Sequence, residues 1–261
     1  MTEATGRRLP GTPCWAGLMT HRAQEARDFY GALFGWEFEP GPGGLGGYAF
    51  AVLDGRRVAG IGQAPADPYR PVSWTTVLAA DDVDQAAEAV RACGGTVGVG
   101  PLSTGDEGRL AMAADPAGAV FGIWQSELLA GADLAGVPGA VAWSELWTAE
   151  TALVAKFYEV VFGLDAGRSR GGEPDRVVLT AGRRPVAGVR GMGTRLPRDR
   201  GAHWLTYFAT DDPDRTVTRA TTLGARVVAP PHDSRYGRMA TLLDPEGAAF
   251  ALIAPAQASS G

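Results

Sequence analysis

Two runs with period-two spacing hold the residues best suited to chemistry. In VAWSELWTAE, Glu145 alternates with Trp143 and Trp147, and in HWLTYFA, Leu205 stands between His203 and Tyr207. Every second side chain of a strand points to the same face. A carboxylate therefore sits between two indoles on one run, and an imidazole and a phenol share a face on the other. Such a carboxylate, withdrawn from water, can act as a general acid or base while the imidazole or phenol orients a substrate. The competing expectation for Glu145 is an ion pair with Arg190 or Arg238. Cys14 and Cys93 are the only two cysteines. They show no CxxC or other metal-ligand spacing, so buried free thiols are expected rather than a disulfide or a zinc site.

The elements that must carry these residues are set by a repeat. RDFYGALFGWEF at 27–38 returns as AKFYEVVFGLDA at 155–166, and GRLAMAADPAG at 108–118 returns as GRMATLLDPEG at 237–247. SWTTVLAADDVDQAAEAVRACGGTV at 73–97 likewise returns as HWLTYFATDDPDRTVTRATTLGARV at 203–227. Matched blocks in the same order at a nearly constant offset mean duplication. Residues 10–126 form the first expected domain, 127–139 a Gly/Ala/Pro-rich linker and 140–255 the second. Each domain also looks doubled within itself. CWAGLMT reads as a strand, and Ala26, Phe29, Tyr30 and Leu33 form one apolar helix face. Strand candidates WEFEP, YAFAVLD and VAGIGQ follow. The pattern restarts with WTTVLAA and a helix capped by Asp81 or Asp82, with Val83, Ala86, Ala87 and Val90 inward and Gly94 as its stop. Strand candidates TVGVG, RLAMAA and AVFGIWQ complete the domain. The whole chain thus predicts an α+β protein of four βαβββ units.

With 261 residues, 45% hydrophobic and 20% charged, the chain has a globular composition and the length for two domains, each able to bury a core. Its net charge of −5 and the lack of a basic stripe argue against nucleic acid as a partner. The start lacks a signal-peptide core and no run reaches the length of a membrane span, so a cytoplasmic protein with no membrane partner is expected.

Four βαβββ units in two pairs, with FY then FGW or FGL around the first helix and a closing DPxG turn, resemble the vicinal oxygen chelate superfamily. That group includes glyoxalase I, extradiol dioxygenases and bleomycin-resistance proteins. GTPCWAGLMT and VAWSELWTAE look, more narrowly, like tandem glyoxalase-like proteins of actinobacteria, some of them labelled hydroxylases. The resemblance implies curved mixed sheets around a cleft. In metal-dependent members it also implies a divalent ion held by His, Gln or Glu. Here the implied ligand positions fall on Trp15, Gly60, Thr75 and Gly122 in the first domain, and on Trp143, Gly188, Leu205 and Ala251 in the second. None is a usual ligand, so no metal and no other cofactor is expected.

On those faces the resemblance places Met19 and Trp124 beside Trp15, Gly60, Thr75 and Gly122 as the lining of the first cleft. It places Glu145, Trp147, Arg190, His203 and Tyr207 beside Trp143 and Leu205 in the second. Glycine at a ligand position leaves room for a bulky planar guest, on which indoles can stack. The alternative is that the tryptophans simply fill the cleft. The expected function is metal-independent binding of a small apolar or aromatic molecule. A metal-free hydroxylase or isomerase using Glu145, Tyr207 and His203 is the second possibility, and a metal-dependent lyase or dioxygenase the third. A monomer or homodimer is expected. Arg109 and Arg238, repeated before the penultimate strands, are expected to anchor the turn aspartates Asp115 and Asp244. The glycine-rich loop at 41–47 is long enough for a lid.

Overall fold

The computed structural model describes residues 8–41, 47–65, 72–127, 130–168 and 175–256. Most of the glycine-rich loop at 41–47 lies outside them. Four βαβββ units follow one another along the chain. The first is β1 (Pro13–Thr20), α1 (Ala23–Phe34), β2 (Glu37–Pro40), β3 (Ala49–Leu53) and β4 (Arg56–Gln63). The second is β5 (Ser73–Ala79), α2 (Val83–Ala92), β6 (Thr96–Ser103), β7 (Gly108–Ala114) and β8 (Val120–Ser126). The third is β9 (Val141–Thr148), α3 (Thr151–Phe162), β10 (Asp165–Arg168), β11 (Arg176–Ala181) and β12 (Arg184–Gly191). The fourth is β13 (His203–Ala209), α4 (Pro213–Thr222), β14 (Arg226–Ser234), β15 (Gly237–Leu243) and β16 (Ala249–Pro255).

Paired units form one mixed, open sheet of eight strands each, ordered β2-β3-β4-β1-β5-β8-β7-β6 and β10-β11-β12-β9-β13-β16-β15-β14. The first strands of the two units, β1 with β5 and β9 with β13, run antiparallel at the centre. Register then fixes which residues lie abreast. Gly60, Gly17 and Thr75 form one row, and Trp15, Val77 and Gly122 another. The matching rows are Gly188, Glu145 and Leu205, and Trp143, Tyr207 and Ala251.

Local chemistry accounts for the helices. Asp82 caps α2, its Oδ1 accepting from the backbone N–H groups of Asp84 and Gln85 at 2.9 and 3.0 Å. Gly35 and Gly163 end α1 and α3 at φ of 76° and 67°, a left-handed cap that glycine adopts without strain and that explains the repeated FG. The predicted inward faces are the observed ones: Ala26, Phe29, Tyr30 and Leu33 on α1, and Val83, Ala86, Ala87 and Val90 on α2.

The buried clusters do not follow the repeat boundary. Phe29, Tyr30 and Leu33 of the first unit share a core with Phe208, Val217 and Phe250 of the fourth. Val83, Val90 and Phe121 of the second share one with Val154, Tyr158 and Phe162 of the third. The halves are joined through their helix-covered faces, whereas the opposite face of each sheet encloses a cleft. Among the described residues no helix is long and apolar enough to cross a membrane.

Candidate functional site

In the first cleft, Trp15, Met19, Thr75 and Trp124 line a cavity of about 130 Å³. Residues of β1, β3, β5, β7 and β8 meet at this one space, which requires the sheet to curve. Gly60 does not open it to a guest. The Tyr48 ring lies over Gly60 so closely that a Cβ there would stand 2.0 Å from the phenol oxygen. Trp15 Nε1 donates to that oxygen at 2.8 Å, and burial pushes the Tyr48 phenol up to about 12. Gly122 is likewise covered, by Val77, whose Cγ2 would lie 2.9 Å from an added Cβ. The chain itself takes the room expected for a planar guest at both glycines. Cys14 is buried and donates to Val77 O at 3.4 Å, while Cys93 is half-buried rather than enclosed.

The second cleft is larger, about 780 Å³, and Trp143, Gly188, Tyr207 and Tyr236 are in its wall. Beneath it lies a saturated polar group. Glu145 is fully buried. Its Oε2 accepts from Tyr207 OH at 3.0 Å and from Trp147 Nε1 at 2.8 Å, and its Oε1 accepts from Arg176. Three donors on one carboxylate satisfy the requirement that a buried charge be paired and hydrogen-bonded. The expected partner Arg190 instead lies over the Trp147 ring, its guanidinium carbon 5.6 Å from the centroid. Arg238 is held by Asp214 and Asp233. Arg176 is the partner because β11 starts two strands away from β9 and its long side chain reaches across β12.

Burial, and then the Glu145 charge, drive the Tyr207 phenol well above its ordinary value, so it stays protonated and can donate. His203 is not joined to this group. Its Nδ1 meets Gly201 O at 2.8 Å, its ring packs 5.7 Å from Trp147, and burial lowers its basicity. Leu205 is buried and packs with Tyr207 and Ala251. Trp147, Arg190, His203 and Leu205 thus surround the Glu145 group without lining the larger cavity, whereas Trp143 and Tyr207 line it. Trp15 and Trp143 also share the wall of a third space of about 90 Å³, so each indole borders two spaces.

The repeated arginines serve the helices rather than the turn aspartates. Arg109 pairs with Asp84 in the first turn of α2, and Arg238 with Asp214 in that of α4. Asp115 and Asp244 are anchored by their own turns, the backbone N–H groups of Ala119 and Ala248 donating at 3.0 and 2.8 Å. A charged side chain near a helix start and an arginine on the neighbouring strand find each other locally, and the turn aspartates need no arginine.

Sequence comparison agrees with this geometry. Residues 14–123 match the family described as Glyoxalase/Bleomycin resistance protein/Dioxygenase superfamily, and residues 143–253 match Glyoxalase-like domain. A Mycobacterium tuberculosis protein named Putative glyoxylase CFP32 is 40% identical over 253 residues, covering 94% of this chain and 95% of that one. The chain belongs to the glyoxalase/bleomycin resistance protein/dioxygenase superfamily. Another superfamily relative, the anthracycline biosynthesis protein DnrV of Streptomyces peucetius, is 37% identical over 268 residues, covering 95% and 94% of the two chains. Solved superfamily folds include the Mn(II)-bound glyoxalase of Novosphingobium aromaticivorans, with a TM-score of 0.65 at 19% identity over 94% of this chain and 83% of that one. The dioxygenase LapB of Pseudomonas sp. KL28 gives a TM-score of 0.62 at 15% identity, covering 96% and 93%.

A divalent ion such as the Mn(II) of that glyoxalase does not fit the residues at the positions the resemblance implies. The implied ligand positions offer indole, glycine, threonine, leucine and alanine, and the one carboxylate in those rows, Glu145, already accepts from Arg176, Tyr207 and Trp147. Tyr48 stands over one of those positions, and no group of three or more His, Cys, Asp or Glu side chains able to hold an ion occurs among the described residues.

Proposed function

We propose that the protein binds a small aromatic molecule without a metal ion, with the second cleft as its principal site. The observation that carries this reading is the cavity of about 780 Å³ walled by Trp143, Tyr207 and Tyr236. Sites for drug-sized ligands span roughly 300–1,000 Å³ and combine apolar walls with a few fixed polar groups. The first cleft, at about 130 Å³, holds at most a single small ring. Two relatives from Streptomyces are named as anthracycline biosynthesis proteins, and that name supports a flat aromatic guest for this chain as well.

The test is calorimetric titration of chelator-treated protein with anthracene methanol, alongside elemental analysis of untreated protein. Binding that survives chelation supports the reading. One tightly held ion per domain, or methylglyoxal turnover abolished by chelator, would sink it.

A metal-free hydroxylase or isomerase is the second reading, favoured by one observation. Tyr207 is in the cavity wall, and its hydroxyl donates to the buried Glu145. In that reading Tyr207 is the group that meets substrate, and Glu145 positions it. Turnover unchanged in Tyr207→Phe would remove its basis.

A further inference from the structure

The larger cavity is charged as well as aromatic. Arg168 at the end of β10, Arg176 at the start of β11, Arg183 between β11 and β12, and Arg235 between β14 and β15 all line it. Glu145 answers Arg176 from below, and none of the residues lining the cavity is acidic. Arg168 and Arg183 make no ion pair among the described residues. In a chain whose net charge is −5, this is a local reversal of sign. A concave site of one sign focuses its field on an incoming ion of the other.

The duplication provides an internal control. Register aligns Arg168 with Pro40, since Arg168 pairs with Val177 as Pro40 pairs with Ala49. It aligns Arg183 with Gly55, both one residue before the strands that start at Arg184 and Arg56. Arg176 falls on Tyr48 and Arg235 on Asp106. The same scaffold is therefore built in the first half with no arginine at any of the four places, so the fold does not require them.

We infer that the second cleft recognises a planar aromatic acid, its rings against Trp143 and Tyr236 and its carboxylate or phenolate oxygen held by Arg168 and Arg183. This rests on the reading of the cleft as an aromatic binding site and names the charge of its guest. Guanidinium presents a planar fork of donors that matches a carboxylate, and the charge strengthens each hydrogen bond. The aromatic walls supply the area and the arginines the choice between acid and neutral analogue.

The experiment is calorimetric titration of the full chain with anthracene carboxylate and, separately, anthracene methanol, at low and high salt. Wild type should bind the acid about tenfold tighter than the alcohol, one charge-assisted contact being worth about that factor. Added salt should weaken the acid alone. The double variant Arg168→Ala/Arg183→Gly, which places the first half's glycine at the second position, should lower the acid to the level of the alcohol and leave the alcohol unchanged. Equal binding of acid and alcohol by wild type overturns the inference and leaves the aromatic site standing. An acid preference that survives in the folded double variant also overturns it. If neither compound binds wild type, both the inference and the aromatic reading fall. Should the double variant unfold, the salt dependence of wild type decides.

Discussion

Tyr30 in the first half of the chain donates to Asp244 in the second, its OH 3.0 Å from Oδ2. The mirror contact joins Tyr158 to Asp115 at 3.2 Å. Each phenol oxygen also accepts from an indole of its own half, Trp74 Nε1 at 2.8 Å and Trp204 Nε1 at 3.1 Å. The repeated FY and DPxG therefore belong together. Each helix tyrosine closes on the turn aspartate of the opposite half.

Replacing Tyr30 or Tyr158 by Phe leaves a buried indole N–H and a carboxylate oxygen each short of one partner. Each change should cost about 1–3 kcal/mol. Because both cores are shared across the halves, urea unfolding should remain one transition in wild type and both variants. Two separated transitions, each altered by one variant only, would show that the halves fold independently.

These phenols also predict alkaline behaviour. Burial, and then a neighbouring carboxylate, push Tyr30, Tyr158 and Tyr207 well above the ordinary value of 10.0, and burial pushes Tyr48 to about 12. The folded chain keeps protons that the unfolded chain releases near 10, so this contribution is fully present below pH 10 and is lost as pH rises through the folded values. Ultraviolet titration should show four of the six tyrosines ionising only with unfolding. Smooth ionisation of all phenols near pH 10 in a chain that keeps its native circular dichroism would contradict this.

The strands, helices and inward faces were legible in the sequence because period two and period 3.6 are local signals. Glu145 and Tyr207 could be placed on one face, and they do meet. What was not legible is which long side chain reaches in from a neighbouring strand. Arg176 rather than Arg190 meets Glu145, and Tyr48 covers Gly60, the one starting β11 and the other just before β3, both outside the central four strands. One signal for this was present. Gly17 and Tyr48 of the first half become Glu145 and Arg176 of the second, two positions that change together. The shared cores were also out of reach, since an apolar helix face states that it is buried but not against which sheet.

Thr76 and Thr206 occupy matching positions of β5 and β13, and each hydroxyl is buried without a hydrogen-bond partner among the described residues. Valine has nearly the same shape and no polar atom to leave unpaired. Thr76→Val and Thr206→Val should each stabilise the fold, by up to about 1 kcal/mol. A loss of more than that in thermal or urea unfolding would mean the hydroxyls are satisfied in solution, for example by a buried water.

The paired change of Gly17 and Tyr48 into Glu145 and Arg176 allows the sharpest test of the second cleft's polar group. Arg176→Tyr alone strands the fully buried Glu145 and should cost about 3–5 kcal/mol, and Glu145→Gly alone leaves Arg176, Tyr207 and Trp147 without their acceptor and should also destabilise the fold. The double change Glu145→Gly/Arg176→Tyr reproduces the pair that the first half already packs, where Trp15 donates to Tyr48 as Trp143 could to the new phenol. It should recover the part of the loss due to the broken ion pair, while Tyr207 and Trp147 stay short of their acceptor, giving a favourable coupling in a double-mutant cycle. If the two single costs merely add, Glu145 and Arg176 do not act as a pair, and the carboxylate must draw its stability from Tyr207 and Trp147 instead.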